Sequence, residues 1–111
     1  MQMAHAKTKF VRISPRKARL AAALIRGKSV EEAGTQLNFC KLRGGRLLKK
    51  TLDTAVANAE SQLNVQRRDL IVKEVRVDEG PTMKRAKPKN KGGSHPIMKR
   101  TSHFTIVVAS E

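Results

Sequence analysis

The chain has 111 residues, enough for one small domain with a single modest core and too few for two. Twenty-four Lys and Arg residues against nine Asp and Glu residues give a net charge of +15. Residues 1–30 hold eight basic side chains, residues 80–110 hold seven, and neither segment holds an acid. Two such cationic fields repel each other unless a polyanion lies between them, which argues against a free-standing enzyme.

Cysteine content and hydropathy narrow the class of protein further. Because Cys40 is the single cysteine, an internal disulfide and a thiolate zinc cluster are both excluded. A reducing compartment fits best, and Cys40 is expected to be a small buried hydrophobe. The longest apolar run, residues 20–25, is far shorter than the ~20 residues of a membrane span. The N-terminus lacks the apolar core of a secretion signal. We therefore expect a cytoplasmic protein without a membrane partner.

The first part of the chain is predicted to form a strand and a helix. Residues 7–13 have the β-branched and aromatic content of a short strand. Ser14 suits a helix cap and Pro15 the first helical position, so a helix is expected to run to Ile25 or Arg26 and to end at Gly27. The spacing of its residues predicts a buried side formed by Leu20, Ala21, Leu24 and Ile25. The opposite, basic side is predicted to carry Arg16, Arg19 and Arg26.

Two more helices are predicted in the middle of the chain. Ser29-Val30-Glu31-Glu32 has the capping-box pattern, which predicts a short helix over residues 30–37. Residues 38–45 are predicted to be a basic connection. A longer helix is expected over residues 46–63, with an apolar stripe of Leu48, Leu52, Ala55, Val56 and Ala59.

Two further strands complete the predicted fold. Residues 70–79 alternate with period two, so that Val75 and Val77 face one side while Glu74, Arg76 and Asp78 face the other. Residues 104–109 are rich in β-forming side chains. The fold class is therefore α+β: three helices packed on a small three-stranded antiparallel sheet, in a single domain of residues 1–111 whose body comprises residues 7–79 and 103–110.

The basic segment between the last two strands has two possible structures. Its composition alone favours a disordered loop in the isolated protein. However, strands hold both of its ends, Gly92-Gly93 near the midpoint can form a tight reversal, and Pro88 and Pro96 suit exposed edges. These features predict a long protruding β-hairpin over residues 80–102, with a reach of roughly 35 Å at ~3.3 Å per residue. A bare hairpin of this length is stable only with a polyanion around it.

No catalytic or metal-binding arrangement is predicted. His5, His95 and His103 lie in basic segments without a nearby carboxylate to orient them as bases. The sequence Arg43-Gly44-Gly45-Arg46 is too short for a phosphate-binding loop, and no spacing supports a metal site. We therefore expect a protein that is not an enzyme and that needs no cofactor.

Nucleic-acid binding is the function that the composition favours. Three Phe residues with no Trp or Tyr leave few platforms for stacking single-stranded bases. Abundant Lys and Arg suit phosphate contacts and shape recognition of folded RNA. A first basic surface is predicted from Lys7, Lys9, Arg12, Arg16 and Arg19.

Several linked motifs resemble one known family. The opening motif of the bacterial large-subunit ribosomal protein twenty-two family resembles Ser14-Pro15-Arg16-Lys17-Ala18-Arg19-Leu20 followed by Leu24-Ile25-Arg26-Gly27-Lys28. Its long-helix signature resembles Ala57-Asn58-Ala59-Glu60. The two legs of its hairpin resemble Asp78-Glu79-Gly80-Pro81-Thr82-Met83-Lys84-Arg85 and Lys99-Arg100-Thr101-Ser102-His103. The resemblance covers essentially the whole chain.

This resemblance implies a location and a set of partners. Members of the family bind large-subunit ribosomal RNA early in assembly, beside neighbouring ribosomal proteins. Their hairpin lines the peptide exit tunnel, where it meets the nascent peptide and where macrolides bind near its tip. The candidates for RNA binding come from the first basic surface, from the predicted basic hairpin and from the positions that match the family motifs. They are Lys7, Lys9, Arg12, Ser14, Arg16, Lys17, Arg19, Met83, Lys84, Arg85, Lys87, Lys89, Lys91, Lys99, Arg100, Thr101, Ser102 and His103.

The predicted hairpin tip departs from the family pattern. Where the family has Pro-Arg-Ala-Lys-Gly-Arg-Ala, this chain has Pro88-Lys89-Asn90-Lys91-Gly92-Gly93-Ser94. Lys89 and Gly93 replace two arginines, so the forked or stacked contacts that arginine makes are not carried over to these positions. The alternative to a ribosomal protein is a non-specific nucleic-acid-binding protein or RNA chaperone that uses the same charge without a fixed site.

Overall fold

The computed structural model describes the backbone of residues 2–88 and 94–110 and the side chains of residues 2–83 and 98–110. The helices are α1 (Pro15–Ala22), α2 (Val30–Asn38) and α3 (Arg43–Leu63), with a short 3-10 helix at Arg67–Asp69. The strands are β1 (Gln2–Val11), β2 (Leu70–Glu79), β3 (Met83–Pro88), β4 (Ser94–Lys99) and β5 (Ser102–Ser110).

The main sheet is antiparallel, with strand order β1-β5-β2. The central strand β5 is the most apolar, and its residues Phe104, Ile106 and Val108 are buried. Helix α3 packs on β1 and β5, while α1 and α2 pack on α3 and β2. The predicted α+β class, with three helices on a three-stranded antiparallel sheet, is confirmed.

Helix α1 begins as predicted but ends earlier. Ser14 Oγ accepts a hydrogen bond from Lys17 N at 3.4 Å, and Pro15 is the first helical residue. The helix ends at Ala22 because the chain then turns toward β2: Gly27 N donates to Val72 O at 3.1 Å. Gly27 takes φ +79°, a left-handed conformation that costs glycine little.

The predicted buried side of α1 is wrong for two leucines. Leu20 is 59% exposed, and Leu24, which follows the helix, is 37% exposed. The buried residues of α1 are Pro15, Ala18, Ala21 and Ala22, and Ile25 beyond its end is buried too. Small side chains face α3 because the two helices approach closely at Gly44, where an added Cβ would lie 3.2 Å from Ala18 Cα.

Helices α2 and α3 carry the predicted apolar stripes. In α2, Val30, Ala33 and Leu37 are buried. Helix α3 begins at Arg43, so the predicted basic connection over residues 38–45 is too long at its C-terminal end. Two glycines in the first turn disfavour a helix in isolation, but here they allow close packing against α1 and against the half-buried Cys40. The α3 stripe is buried as predicted, at Leu48, Leu52, Ala55, Val56 and Ala59.

The first strand starts earlier than predicted, and β2 matches its prediction. β1 starts at Gln2 rather than at residue 7, because Ala4 and Ala6 pair with β5 and are buried despite the low strand propensity of alanine. The strand ends at Val11. In β2, Val75 and Val77 face the core.

The basic segment contains a second, two-stranded sheet. β3 pairs antiparallel with β4, from Met83 opposite Lys99 to Pro88 opposite Ser94. The long axis of the molecule measures 62 Å. The predicted tip, with Gly92-Gly93, lies outside the described residues, and the predicted reach of the hairpin stays a prediction. Within the described ranges, no helix is both long enough and apolar enough to cross a bilayer.

Candidate nucleic-acid interface

The site begins at the junction between the body and the β3–β4 arm. Gly80 N donates to Thr101 O at 3.0 Å, and Thr101 Oγ1 donates to Pro81 O at 2.6 Å. Next along the chain, Ser102 Oγ donates to Ile13 O at 2.7 Å. These bonds fix the end of the arm against the segment that leads into α1.

Two predicted RNA contacts are therefore internal. Thr101 is 4% exposed and Ser102 is fully buried. Both hydroxyls are committed to backbone carbonyls, since a buried hydroxyl without a partner is costly. Thr101 and Ser102 thus position the arm through hydroxyls that are used within the protein, and their contact with RNA stays a prediction.

The junction creates a basic groove on the surface. Its volume is about 790 Å³, and it is lined by Arg12, Ile13, Ser14, Lys17, Arg43, Met98, Lys99 and Arg100. Five of these eight residues are Lys or Arg and none is acidic. The cations come from the β1–α1 connection, from α1, from the start of α3 and from the end of the arm. We call this set of eight residues the basic groove.

Cationic surface continues from the basic groove in two directions. On one side, Arg16, Arg19 and Arg100 line a second concavity with Ser14, Pro15 and Glu79. On the other side, a third concavity along the first turns of α3 is lined by Arg43, Arg46, Leu47 and Lys50. We call these two concavities the extensions of the groove. Helix α3 follows Leu42, whose side chain cannot cap it, and the positive end of the helix dipole adds to the positive potential.

Three of these cations are missing from the sequence prediction. Arg43, Arg46 and Lys50 lie in the middle of the chain, where acids nearly balance the basic residues. The local signal is the cluster of basic residues between 41 and 50. Charge counting does not distinguish the members of this cluster, because Lys49 pairs with Asp53 at 3.3 Å whereas Lys50 lines the extension along α3.

Arg19 of α1 and Arg26, which follows α1, make contacts within the protein that the sequence did not predict. Arg19 Nη2 donates to Val77 O at 3.0 Å, and Arg26 Nη2 donates to Val75 O at 2.8 Å. Both carbonyls lie on β2, an edge strand of the main sheet. The guanidinium groups therefore cover a sheet edge that could otherwise pair with another chain. Arg16, which lines the second concavity, is the more available ligand group.

The remaining predicted contacts are spread over β1, the arm and β5. Lys7 and Lys9 are exposed on β1, and Met83 is half-buried at the start of β3. His103 is half-buried, and its Nδ1 accepts a hydrogen bond from Phe10 N at 3.1 Å. Lys84, Arg85 and Lys87 lie in β3, whereas Lys89 and Lys91 lie outside the described residues.

Nothing in the described ranges resembles a catalytic centre. No group of three or more His, Cys, Asp or Glu side chains there could hold a metal ion. A small α+β body with a cationic groove and a basic two-stranded arm instead defines a nucleic-acid-binding protein.

Sequence comparison identifies the family within that class. Residues 6–109 match the family described as ribosomal protein L22p/L17e, and the chain belongs to this family. The chain is 69% identical over 110 residues to the large ribosomal subunit protein uL22 of Protochlamydia amoebophila, covering 99% of each. It is 57% identical over 106 residues to the protein of that name from Chlamydia muridarum, covering 96% of each. The family resemblance predicted from the motifs is confirmed, and members of this family are structural proteins and not enzymes.

Proposed function

We propose that this chain binds folded large-subunit ribosomal RNA through the basic groove. Its family membership makes it a structural constituent of the large subunit of the cytoplasmic ribosome, with ribosomal RNA and ribosomal proteins as partners.

The convergence of separate cationic segments supports this proposal most strongly. Arg12 and Lys17 come from the acid-free N-terminal block, whereas Lys99 and Arg100 come from the acid-free C-terminal block. Folding places these like charges around one groove and adds Arg43 between them. Such a concentration of charge is unfavourable in the free protein and becomes favourable when phosphates neutralise it.

The proposed contact set is smaller than the predicted one. It comprises the cations that line the groove and its two extensions, and it leaves out Thr101 and Ser102 for the reason given above. Lys7, Lys9, Met83 and the basic side chains of the arm are further candidates. The set within the groove and its extensions is Arg12, Arg16, Lys17, Arg19, Arg43, Arg46, Lys50, Lys99 and Arg100.

The β3–β4 arm is proposed to lie along the wall of the peptide exit tunnel, while the body stays near its outer mouth. The hydrogen bonds of Thr101 and Ser102 support this division, because they hold the arm in one direction relative to the groove. In this arrangement the arm would border the passing nascent peptide, and its tip would lie near the macrolide site. We propose that body and arm form one RNA-binding domain and that the chain assists assembly of the RNA around it.

Equilibrium binding tests the proposal directly. The full chain should bind folded large-subunit ribosomal RNA more tightly than duplex DNA of equal length at equal salt. Arg43→Ala with Arg100→Ala should weaken RNA binding and flatten its salt dependence by about one unit per lost phosphate contact. Arg68→Ala is the matched control, since Arg68 is exposed in the 3-10 helix and lines neither the groove nor its extensions. Equal affinity for RNA and DNA would contradict the proposal.

A further inference from the structure

Phe10 has a backbone conformation that is unusual for its residue type. Its φ is +59°, in the left-handed region, where a bulky side chain is sterically disfavoured. It lies in the irregular stretch of β1 between Thr8 and Val11, where the pairing with β5 shifts register. An irregularity of this kind redirects a side chain away from the regular alternation of a strand. Here it turns an aromatic ring outward, and Phe10 is 61% exposed.

The exposed ring is held in place by one residue of β5. The rings of Phe10 and His103 meet edge to face, with centroids 5.0 Å apart and an interplanar angle of 90°. The same imidazole accepts the Phe10 backbone N–H through Nδ1 at 3.1 Å. His103 therefore contacts both the ring and the backbone of Phe10 in the absence of a ligand.

The surroundings of Phe10 are cationic and adjoin the basic groove. Lys9 and Arg12 are exposed on either side of it along the chain, and Arg12 lines the groove. His103 follows Arg100, another groove residue, by three positions. A planar apolar ring beside phosphate-binding side chains offers the two contacts that an unstacked nucleotide needs, a face for the base and cations for the backbone.

We propose that Phe10 is a stacking platform for one unpaired base of the RNA that occupies the basic groove. This proposal rests on the proposed function. It adds that one nucleotide of the bound RNA, either flipped out of a helix or part of a loop, lies against Phe10. Phe39, which follows α2 and is 82% exposed, serves as the comparison. It is also an available ring, but it lies at the end of α2, whereas Phe10 lies two residues before the groove residue Arg12.

Conservative substitutions in the full chain test the stacking contact. The probe is protein-free large-subunit ribosomal RNA transcribed in vitro, titrated at several salt concentrations. Phe10→Leu keeps apolar bulk but removes the flat face, and should weaken binding about tenfold, within the range for base–aromatic stacking. That deficit should persist at every salt concentration, because stacking releases no counterions, whereas Lys9→Gln should lower the salt slope. Phe10→Trp should bind within about twofold of the unsubstituted chain, and Phe39→Leu should bind as the unsubstituted chain does.

Fluorescence provides a second readout, because the natural chain contains no Trp. The RNA should quench the emission of Phe10→Trp through contact with the base and leave that of Phe39→Trp nearly unchanged. Thermal unfolding of each variant verifies that the fold is intact. Unchanged affinity of Phe10→Leu, or an unquenched Phe10→Trp that still binds tightly, would overturn the stacking contact while leaving RNA binding by the groove in place. If the unsubstituted chain itself failed to prefer ribosomal RNA over duplex DNA, the proposed function would fail instead.

Discussion

Thr101 Oγ1 donates a 2.6 Å hydrogen bond to the carbonyl of Pro81, twenty residues earlier in the chain. This bond closes the base of the β3–β4 arm, where the two strands leave and re-enter the body. Gly80 is part of the same closure, because a Cβ on it would lie 2.5 Å from Thr101 Oγ1. Together with the Ser102 hydroxyl on Ile13 O, this buried hydroxyl and the missing side chain of Gly80 set the direction of the arm.

Thr101→Val should lower the free energy of unfolding by about 1–3 kcal/mol. The substitution keeps the shape of the side chain but leaves the Pro81 carbonyl without its donor. Thr105→Val is the matched control, because within the described residues Thr105 Oγ1 is buried and has no hydrogen-bond partner. That second substitution should be neutral or stabilising. Chemical denaturation of both variants measures the difference, and equal effects would mean that the Thr101 bond does not stabilise the junction.

Two leucines of the same chemistry should respond very differently to truncation. Leu52→Ala should cost about 2–5 kcal/mol of unfolding free energy, because Leu52 is fully buried in the α3 stripe. Leu20→Ala should change stability by less than about 0.5 kcal/mol, because that side chain is 59% exposed. Thermal and urea unfolding would report both values. A large cost at Leu20 would contradict the observed packing of α1 on α3.

The double substitution Arg19→Ala with Arg26→Ala should favour self-association. It frees the carbonyls of Val75 and Val77 on the edge strand β2, which can then pair with another chain. Each lost bond should also cost about 1 kcal/mol. Light scattering against protein concentration measures the association, with Arg68→Ala as the control. A double variant that stays monomeric at all concentrations would show that these arginines do not protect the edge.

Shortening the arm should separate stability from RNA binding. Replacing residues 84–98 with a two-residue turn should leave the thermal midpoint nearly unchanged, because β3 and β4 pack chiefly against each other. The same variant should bind large-subunit ribosomal RNA more weakly, since five basic residues are removed. Calorimetry and a binding titration on one preparation test both parts. A large fall in the midpoint would mean that the arm contributes to the core.

The sequence predicted those features that depend on regular periodicity. The α3 stripe and the inward face of β2 follow from spacing alone, and both are buried as predicted. The buried side of α1 was wrong because spacing identifies an apolar side but not the partner: a close approach at Gly44 selects Ala18 and Ala21 over Leu20. The early start of β1 was missed because pairing with β5 overrides the weak strand propensity of its alanines.

The basic groove, as distinct from its RNA contacts, was predicted in part. The two acid-free blocks indicated which segments meet a polyanion, and Arg12, Lys17, Lys99 and Arg100 do line one groove. Arg43 was missed because its position at the groove comes from helix packing and not from local charge. Conversely, Thr101 and Ser102 matched a family motif whose pattern does not distinguish a residue that positions the arm from one that contacts the ligand.

Sedimentation of cell extract through a sucrose gradient, with and without a high-salt wash, tests most directly whether this chain is held by specific contacts with large-subunit RNA. The basic groove and the β3–β4 arm predict that the chain stays with the large subunit through the wash, because many contacts are shielded from solvent. They predict weaker retention for Arg43→Ala with Arg100→Ala and unchanged retention for Arg68→Ala. Release of the unsubstituted chain into the free fraction, with recovery on bulk nucleic acid at low salt, would contradict this and indicate non-specific binding by charge alone.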